Sequence, residues 1–248
     1  MLNKLGFKIF YDIDDEVVLS EKKIKAFNAF LSGVSAAYPD YPRQLGLEHP
    51  VCFYPTPLDE NIQSNQEWIS KDKKYTFAWI GTYVTYRTQV RTLVENISPD
   101  QTIKIITGKL SDVNHAEIES LSPNVSVVAI TDWLDTDRVM QELQEATFGL
   151  HMSRHRERAG GMSYKVVHYI QAGLIPIEIG ERDPALVNIC SEFSLKTLVL
   201  ENAEALGGVL DIGENKYNDM SKGNTKNIEK MRVANYVKPL LEFWIEER

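Results

Sequence analysis

The chain has 248 residues, a formal net charge of -8, 43% hydrophobic and 25% charged residues, which is length enough for one large or two modest domains around a sizeable core. The acidic balance argues against a nucleic-acid binder, which carries a broad basic surface. No apolar run reaches the roughly 18 residues a bilayer-spanning helix needs, and acids interrupt the N-terminal MLNKLGFKIFYDIDDEV where a signal peptide would be apolar, so no transmembrane segment and a cytoplasmic protein are expected.

In chain order, Phe7 to Tyr11 reads as a strand and Glu21 to Ala36 as a helix, with Ile24, Phe27, Phe30, Leu31 and Val34 on one face. Val51 to Tyr54 is a second short strand. Residues 1–54 thus supply one β-α-β pass, too little to close an independent Rossmann sheet. The acids Asp12, Asp14, Asp15 and Glu16 follow the first strand. An Asp-x-Asp there suits Mg²⁺ or a phosphatase nucleophile, and YDIDD resembles the motif of haloacid-dehalogenase-like enzymes. Glu16 stands where that motif wants Thr or Val, so helix-start acids are the simpler reading. Cys52 and Cys190 lie in apolar surroundings without metal spacing and read as buried thiols.

Residues 59–74 are polar and read as a linker, so the chain divides into a partial unit, 1–74, and a larger domain, 75–248. In the latter, strands are expected at Thr76–Ile80, Ile103–Ile106, Val125–Ile130, Phe148–Met152, Leu174–Ile179 and Thr197–Leu200. Helices lie between them, including Arg138–Ala146 and one opening at Pro184. Glu201–Leu210 reads as a short helix and Ser221–Asn227 as a polar loop. Asn227–Glu246 reads as a long final helix with a kink at Pro239. Strands and helices alternating at this spacing predict an α/β, doubly wound parallel sheet with right-handed crossovers.

Such a sheet binds ligands beyond the carboxyl ends of its strands, and the richest of these ends follows Met152. The loop SRHRERAGG leads into a helix bearing Lys165 and His168. Four cations there (Arg154, Arg156, Arg158, Lys165) against Glu157 leave an excess of three positive charges in an acidic chain. An anion fits. Gly160 and Gly161 let backbone approach it, and the helix start offers free N–H groups. Lys165 and His168 share a helical face, where a cation and a ring donor suit a phosphate and a sugar hydroxyl. Gly81 with Thr82 would admit phosphate or sugar at another strand end, and Arg87, if it opens the next helix, would reach a diphosphate. A solvated basic loop and ordinary strand-end turns are the bland alternatives.

The segment SYKVVHYIQAGLIPIEIG resembles the pattern Lys-x-x-Glu-Tyr-x-x-x-Gly-x-x-x-Ile of the nucleotide-binding lobe of GT-B glycosyltransferases, family-4-like enzymes in particular. FAWIGTYVTYR, IKIITG and the C-terminal helix extend the resemblance over about residues 75–248. It implies a Rossmann-like lobe holding a nucleoside diphosphate sugar, with no other cofactor and no metal, and a glycosyltransferase of hexosyltransferase type. Arg154, Arg158 and Lys165 would take the diphosphate, and His168 stands where the family places the ribose-binding acid. The loop around Asp132 and Trp133 would hold the base. Gly160 occupies the place of a second acid that contacts the donor sugar. The resemblance further implies that residues 1–74 are the tail of an acceptor lobe, covered by the final helix. A homodimer or a partner chain completing that lobe is the expected assembly, and a non-catalytic nucleotide-sugar-binding or assembly protein is the alternative to an enzyme.

Overall fold

The computed structural model describes residues 10–13, 20–36, 41–53, 74–131, 136–152, 164–232 and 234–246. They build two parallel sheets. The smaller has the order β1 (Phe10–Ile13), β2 (Gly33–Ala36), β3 (Val51–Phe53). Helix α1 (Glu21–Phe30) joins β1 to β2, and the single turn α2 (Tyr41–Gln44) precedes β3. The helix predicted to reach Ala36 therefore stops six residues early. Leu31 turns to extended backbone and Gly33–Ala36 becomes a fully buried central strand. Leu31 and Val34 lie three apart, as on a helical face, and both are buried; periodicity could not separate the two geometries over so few residues.

The larger sheet has six parallel strands, β4 (Tyr75–Ile80), β5 (Ile103–Thr107), β6 (Val125–Ala129), β7 (Ala146–Met152), β8 (Ile175–Ile179) and β9 (Leu198–Leu200). Their spatial order is β6-β5-β4-β7-β8-β9. The chain builds outward from β4 to β6, returns beside β4, and builds outward again. This is the doubly wound Rossmann-like arrangement, and its switch point lies between β4 and β7. Helices α3 (Tyr83–Glu95), α4 (Asp112–Leu121), α5 (Thr136–Gln144), α6 (Tyr164–Gln171) and α7 (Pro184–Glu192) follow the first five strands. Strand residues alternate between two cores. Phe77, Trp79, Phe148 and Leu150 pack toward α3, and Ala78, Ile80 and Ile106 pack toward α5 and α6.

After β9 come a 3-10 helix (Ala203–Ile212), then α8 (Glu214–Ile228), a 3-10 turn (Glu229–Met231) and α9 (Ala234–Glu246), which contains Pro239. The polar loop expected at Ser221–Asn227 is instead the second half of α8. Ser221, Asn224 and Thr225 face inward, while Lys222 and Lys226 stay exposed. The Ser221 hydroxyl donates to the Gly173 carbonyl at 3.3 Å, and the Asn224 side chain brackets Lys196, accepting from its N–H at 2.6 Å and donating to its carbonyl at 2.7 Å. Polarity misled because these groups serve tertiary hydrogen bonds rather than solvent. The long final helix is likewise two helices with a break at Glu229–Met231.

The N-terminal unit does not stand apart. Leu31, Val34, Ala36 and Leu47 share one apolar cluster with Val166, Val167 and Ile170 of α6 and with Leu186 and Ile189 of α7. Tyr236 of α9 closes the edge of that cluster, its ring meeting Phe193 edge-on at 6.5 Å. The surface facing the small sheet is thus supplied by α6 and α7 as well as by α9.

Candidate functional site

At the switch point the two central strands part. β4 and β7 pair in register at Tyr75 with Ala146, Phe77 with Phe148, and Ala78 with Gly149. Beyond Ala78 the ladder ends and a side chain takes over. The Ile80 N–H donates to the Tyr169 hydroxyl oxygen at 3.1 Å, and that hydroxyl donates to the Leu150 carbonyl at 2.9 Å. Tyr169 is fully buried, and burial pushes its phenol well above the ordinary tyrosine range, so the hydroxyl stays protonated as this bridge requires. Its ring lies against Gly149, where a Cβ would fall 2.1 Å from the ring carbon Cγ. Glycine at 149 is therefore the condition for tyrosine at 169. β4 meanwhile stays with β5, since the Gly81 N–H donates to the Ile106 carbonyl at 3.0 Å.

The split opens toward the carboxyl ends of both strands. Gly81 leaves β4 there and leads through Thr82 into α3, whose Tyr83 N–H is held by the Thr107 hydroxyl at 3.1 Å. Lys165, on the first turn of α6, reaches across to the same place. Its ammonium stands 4.7 Å from the centre of the Trp79 ring, and a Cβ on Gly81 would lie 3.0 Å from Nζ and 2.9 Å from the indole. Any larger residue at 81 would displace either the ring or the cation. His151, the penultimate residue of β7, is on the sheet face of Gly149 and within electrostatic reach of Lys165. Burial first, and the Lys165 charge second, lower its pKa to about 4, so the ring is neutral at neutral pH.

Of the residues expected from sequence, Gly81 and Lys165 meet at this crevice. His168 lies one turn further along α6 and is half-buried. Arg87 is in the second turn of α3, and its exposed guanidinium is engaged with Glu117 of α4, at 2.6 Å from Nη2 and 2.9 Å from Nε. Arg154, Arg158, Gly160, Gly161, Asp132 and Trp133 lie outside the described residues, as do Asp14, Asp15 and Glu16. Trp79, Gly149, His151 and Tyr169 were missed. A glycine inside an apolar strand is the one local signal that pointed to the split, since it marks a close approach. Both cysteines are free thiols, and burial raises the pKa of each, Cys190 to about 12. No helix among the described residues is long and apolar enough to cross a membrane, and no group of three metal-ligating side chains gathers among them.

The same architecture occurs in solved glycosyltransferases. Anabaena HepE in complex with UDP matches with a TM-score of 0.69 and 11% identity, over 98% of this chain and 73% of its own. Staphylococcus aureus TarM in complex with UDP matches at 0.65 and 11%, over 96% of this chain and 51% of its own. A glycosyltransferase from Rickettsia africae matches at 0.64 and 8%, over 99% and 78%. This chain spans about half the length of TarM and 59% of the chain matched in the GtfA/B complex. No family model matches the sequence, and no curated protein matches it significantly. The likeness is one of fold, and the fold is that of the GT-B glycosyltransferases.

Proposed function

We propose that the crevice between β4 and β7 binds the diphosphate of a nucleoside diphosphate sugar, and that the chain is the donor-binding part of a glycosyltransferase. The observation that carries this reading is the meeting of the Lys165 ammonium with Gly81 at the switch point, a cation beside backbone that carries no side chain. Solved proteins of the same fold hold UDP or UDP-glucose, which supports the choice of ligand class. Transfer of the sugar leaves negative charge on the departing diphosphate. A fixed cation there stabilises that charge, and the rest of the chemistry is positioning, with little covalent work for the protein. Arg154 and Arg158 add charge to the same strand end, with Gly160 and Gly161 giving close backbone. His168 takes the ribose, Asp132 and Trp133 the base.

A second reading, nucleotide-sugar binding without turnover, is favoured by one observation: α6 carries His168 and no carboxylate where the resembled enzymes place an acid. The two readings separate by experiment. A thermal-shift panel of UDP, GDP, ADP and CMP with their sugar derivatives, run on the parent and on Lys165→Ala, tests donor binding. A ligand at about 100 times its dissociation constant stabilises by roughly 2.7 kcal/mol. One nucleotide is expected to raise the midpoint of the parent and not of the variant; equal shifts in both would place the ligand elsewhere. Release of free sugar or glycosylated product from the stabilising donor then marks the enzyme, and binding without release marks the second reading.

A further inference from the structure

His151 is one of the buried polar groups whose place the fold itself leaves unexplained. Its side chain is 8% exposed, and neither ring nitrogen has a hydrogen-bond partner among the described residues. Burying a polar ring without partners costs stability, and such groups persist in native proteins where function requires them. The neighbours do not satisfy it. Glu178 is its register partner on β8, yet Glu178 Oε1 accepts instead from the Thr197 hydroxyl at 2.9 Å and from Arg182 at 3.4 Å. Tyr169 is committed to the bridge between Ile80 and Leu150. Lys165, a cation, offers donors only.

We propose that the His151 imidazole is a binding residue for the diphosphate of the donor, acting with Lys165 at the β4–β7 split. The inference rests on the donor-site reading above and adds a residue that neither the basic loop nor the resemblance indicates. A neutral imidazole presents one N–H donor and one acceptor nitrogen. Beside an ammonium, the donor is the useful one, because an anion drawn by Lys165 arrives with acceptors only. At a ring as buried as His151, a hydrogen bond to a phosphate oxygen is stronger than the same bond at the surface. The order of β7 fits this use. Gly149 gives way to the Tyr169 ring, the strands part, and His151 follows two residues later on the same face, at the end where the sheet opens.

The test compares His151→Leu with His151→Asn, with Lys165→Ala alongside, by calorimetric titration with UDP, GDP, ADP and CMP, with inorganic pyrophosphate, and with the nucleosides. Leucine removes a buried polar ring that has no partner among the described residues, so His151→Leu is expected to unfold at a higher temperature than the parent without ligand. Its affinity for the preferred diphosphate and for pyrophosphate is expected to fall about tenfold or more, the scale of one hydrogen bond to a charged group. Nucleoside affinity should not change, and asparagine, which keeps a donor, should recover part of the loss. A merely structural histidine would move the midpoint alone. Parent-like diphosphate affinity in His151→Leu, with the loss confined to Lys165→Ala, overturns the role of His151 and leaves the donor site standing. A parent that binds none of these probes overturns both. Should the substitutions prevent folding, the imidazole resonances of the parent decide: the chain has five histidines, and a His151 signal that stays fixed through saturation with pyrophosphate ends the proposal.

Discussion

The two ends of the large sheet each bury a basic residue, and they treat it in opposite ways. At the amino end, Lys104 of β5 is almost wholly buried, yet its ammonium meets Glu142 at 2.7 Å, Glu145 at 2.5 Å and the Glu142 carbonyl at 3.2 Å, and lies 4.7 Å from the centre of the Tyr75 ring. Every donor is used, and β4 is closed against the start of β7 by the bond from Tyr75 N–H to the Glu145 carbonyl. At the carboxyl end the strands part, a tyrosine bridges the gap, and neither His151 nitrogen is paired among the described residues. A satisfied buried cation is explained by the fold; an unsatisfied ring beside a cation is not. The contrast separates the end that holds the sheet together from the end proposed to meet a ligand.

Four substitutions break or sharpen that contrast. The largest effect is expected for Gly149→Ala, because the new methyl would fall on the Tyr169 ring carbon rather than on a flexible tip. Overpacking of this kind costs about 3 kcal/mol, and denaturant unfolding should show it together with loss of nucleotide binding. Lys104→Ala removes a buried stem and leaves two carboxylates without their cation, costing about 2–3 kcal/mol. Here binding per folded molecule should be retained, since the amino end is remote from the crevice. A parallel loss of affinity in Lys104→Ala would abolish the division between the ends.

Tyr169→Phe keeps the ring against Gly149 and deletes both bridging hydrogen bonds, a loss of about 1–3 kcal/mol. Hydrogen exchange at the Ile80 amide should accelerate in this variant, and an unchanged rate would mean that the hydroxyl does not hold the split. The smallest effect concerns pH. The hydrogen bond from Lys104 holds the Glu145 carboxyl below its usual range. A group whose folded pKa is depressed stabilises fully above its unfolded value and loses that contribution as pH falls through the lowered one. Glu145 is partly exposed, so the share is under about 1 kcal/mol. Melting of the parent should weaken from neutral pH into the acid range slightly more than melting of Glu145→Gln, and identical pH profiles would show the pair to be energetically silent.

Much of the larger sheet was legible in the chain. β4, β5, β7 and β8 are short apolar runs closed by turn residues, as strands buried on both faces must be, and the helix expected around Lys165 is α6. What escaped had physical causes. α8 hides behind polar residues whose partners are distant in sequence, and β2 hides inside an apparent helical period. Arg87 read as a ligand for anions because Glu117, thirty residues away, is invisible as its partner until α3 and α4 pack. Tyr169 was present in the resembled pattern as one letter, and only its two hydrogen bonds give that letter a task.

By itself the sequence determined the alternation of strands and helices, the acidic bulk with its basic island, and the placement of Lys165 at the start of a helix that follows a strand, because these depend on neighbours in the chain. The tertiary structure alone decided that β4 lies beside β7, that a tyrosine on α6 spans them, and that Gly81 and Lys165 come together there. Such a site is assembled from residues up to 84 positions apart, taking Gly81 and Lys165 as its ends. No local pattern encodes it, since the order in which parallel strands pair is set by how their helices cover the two faces.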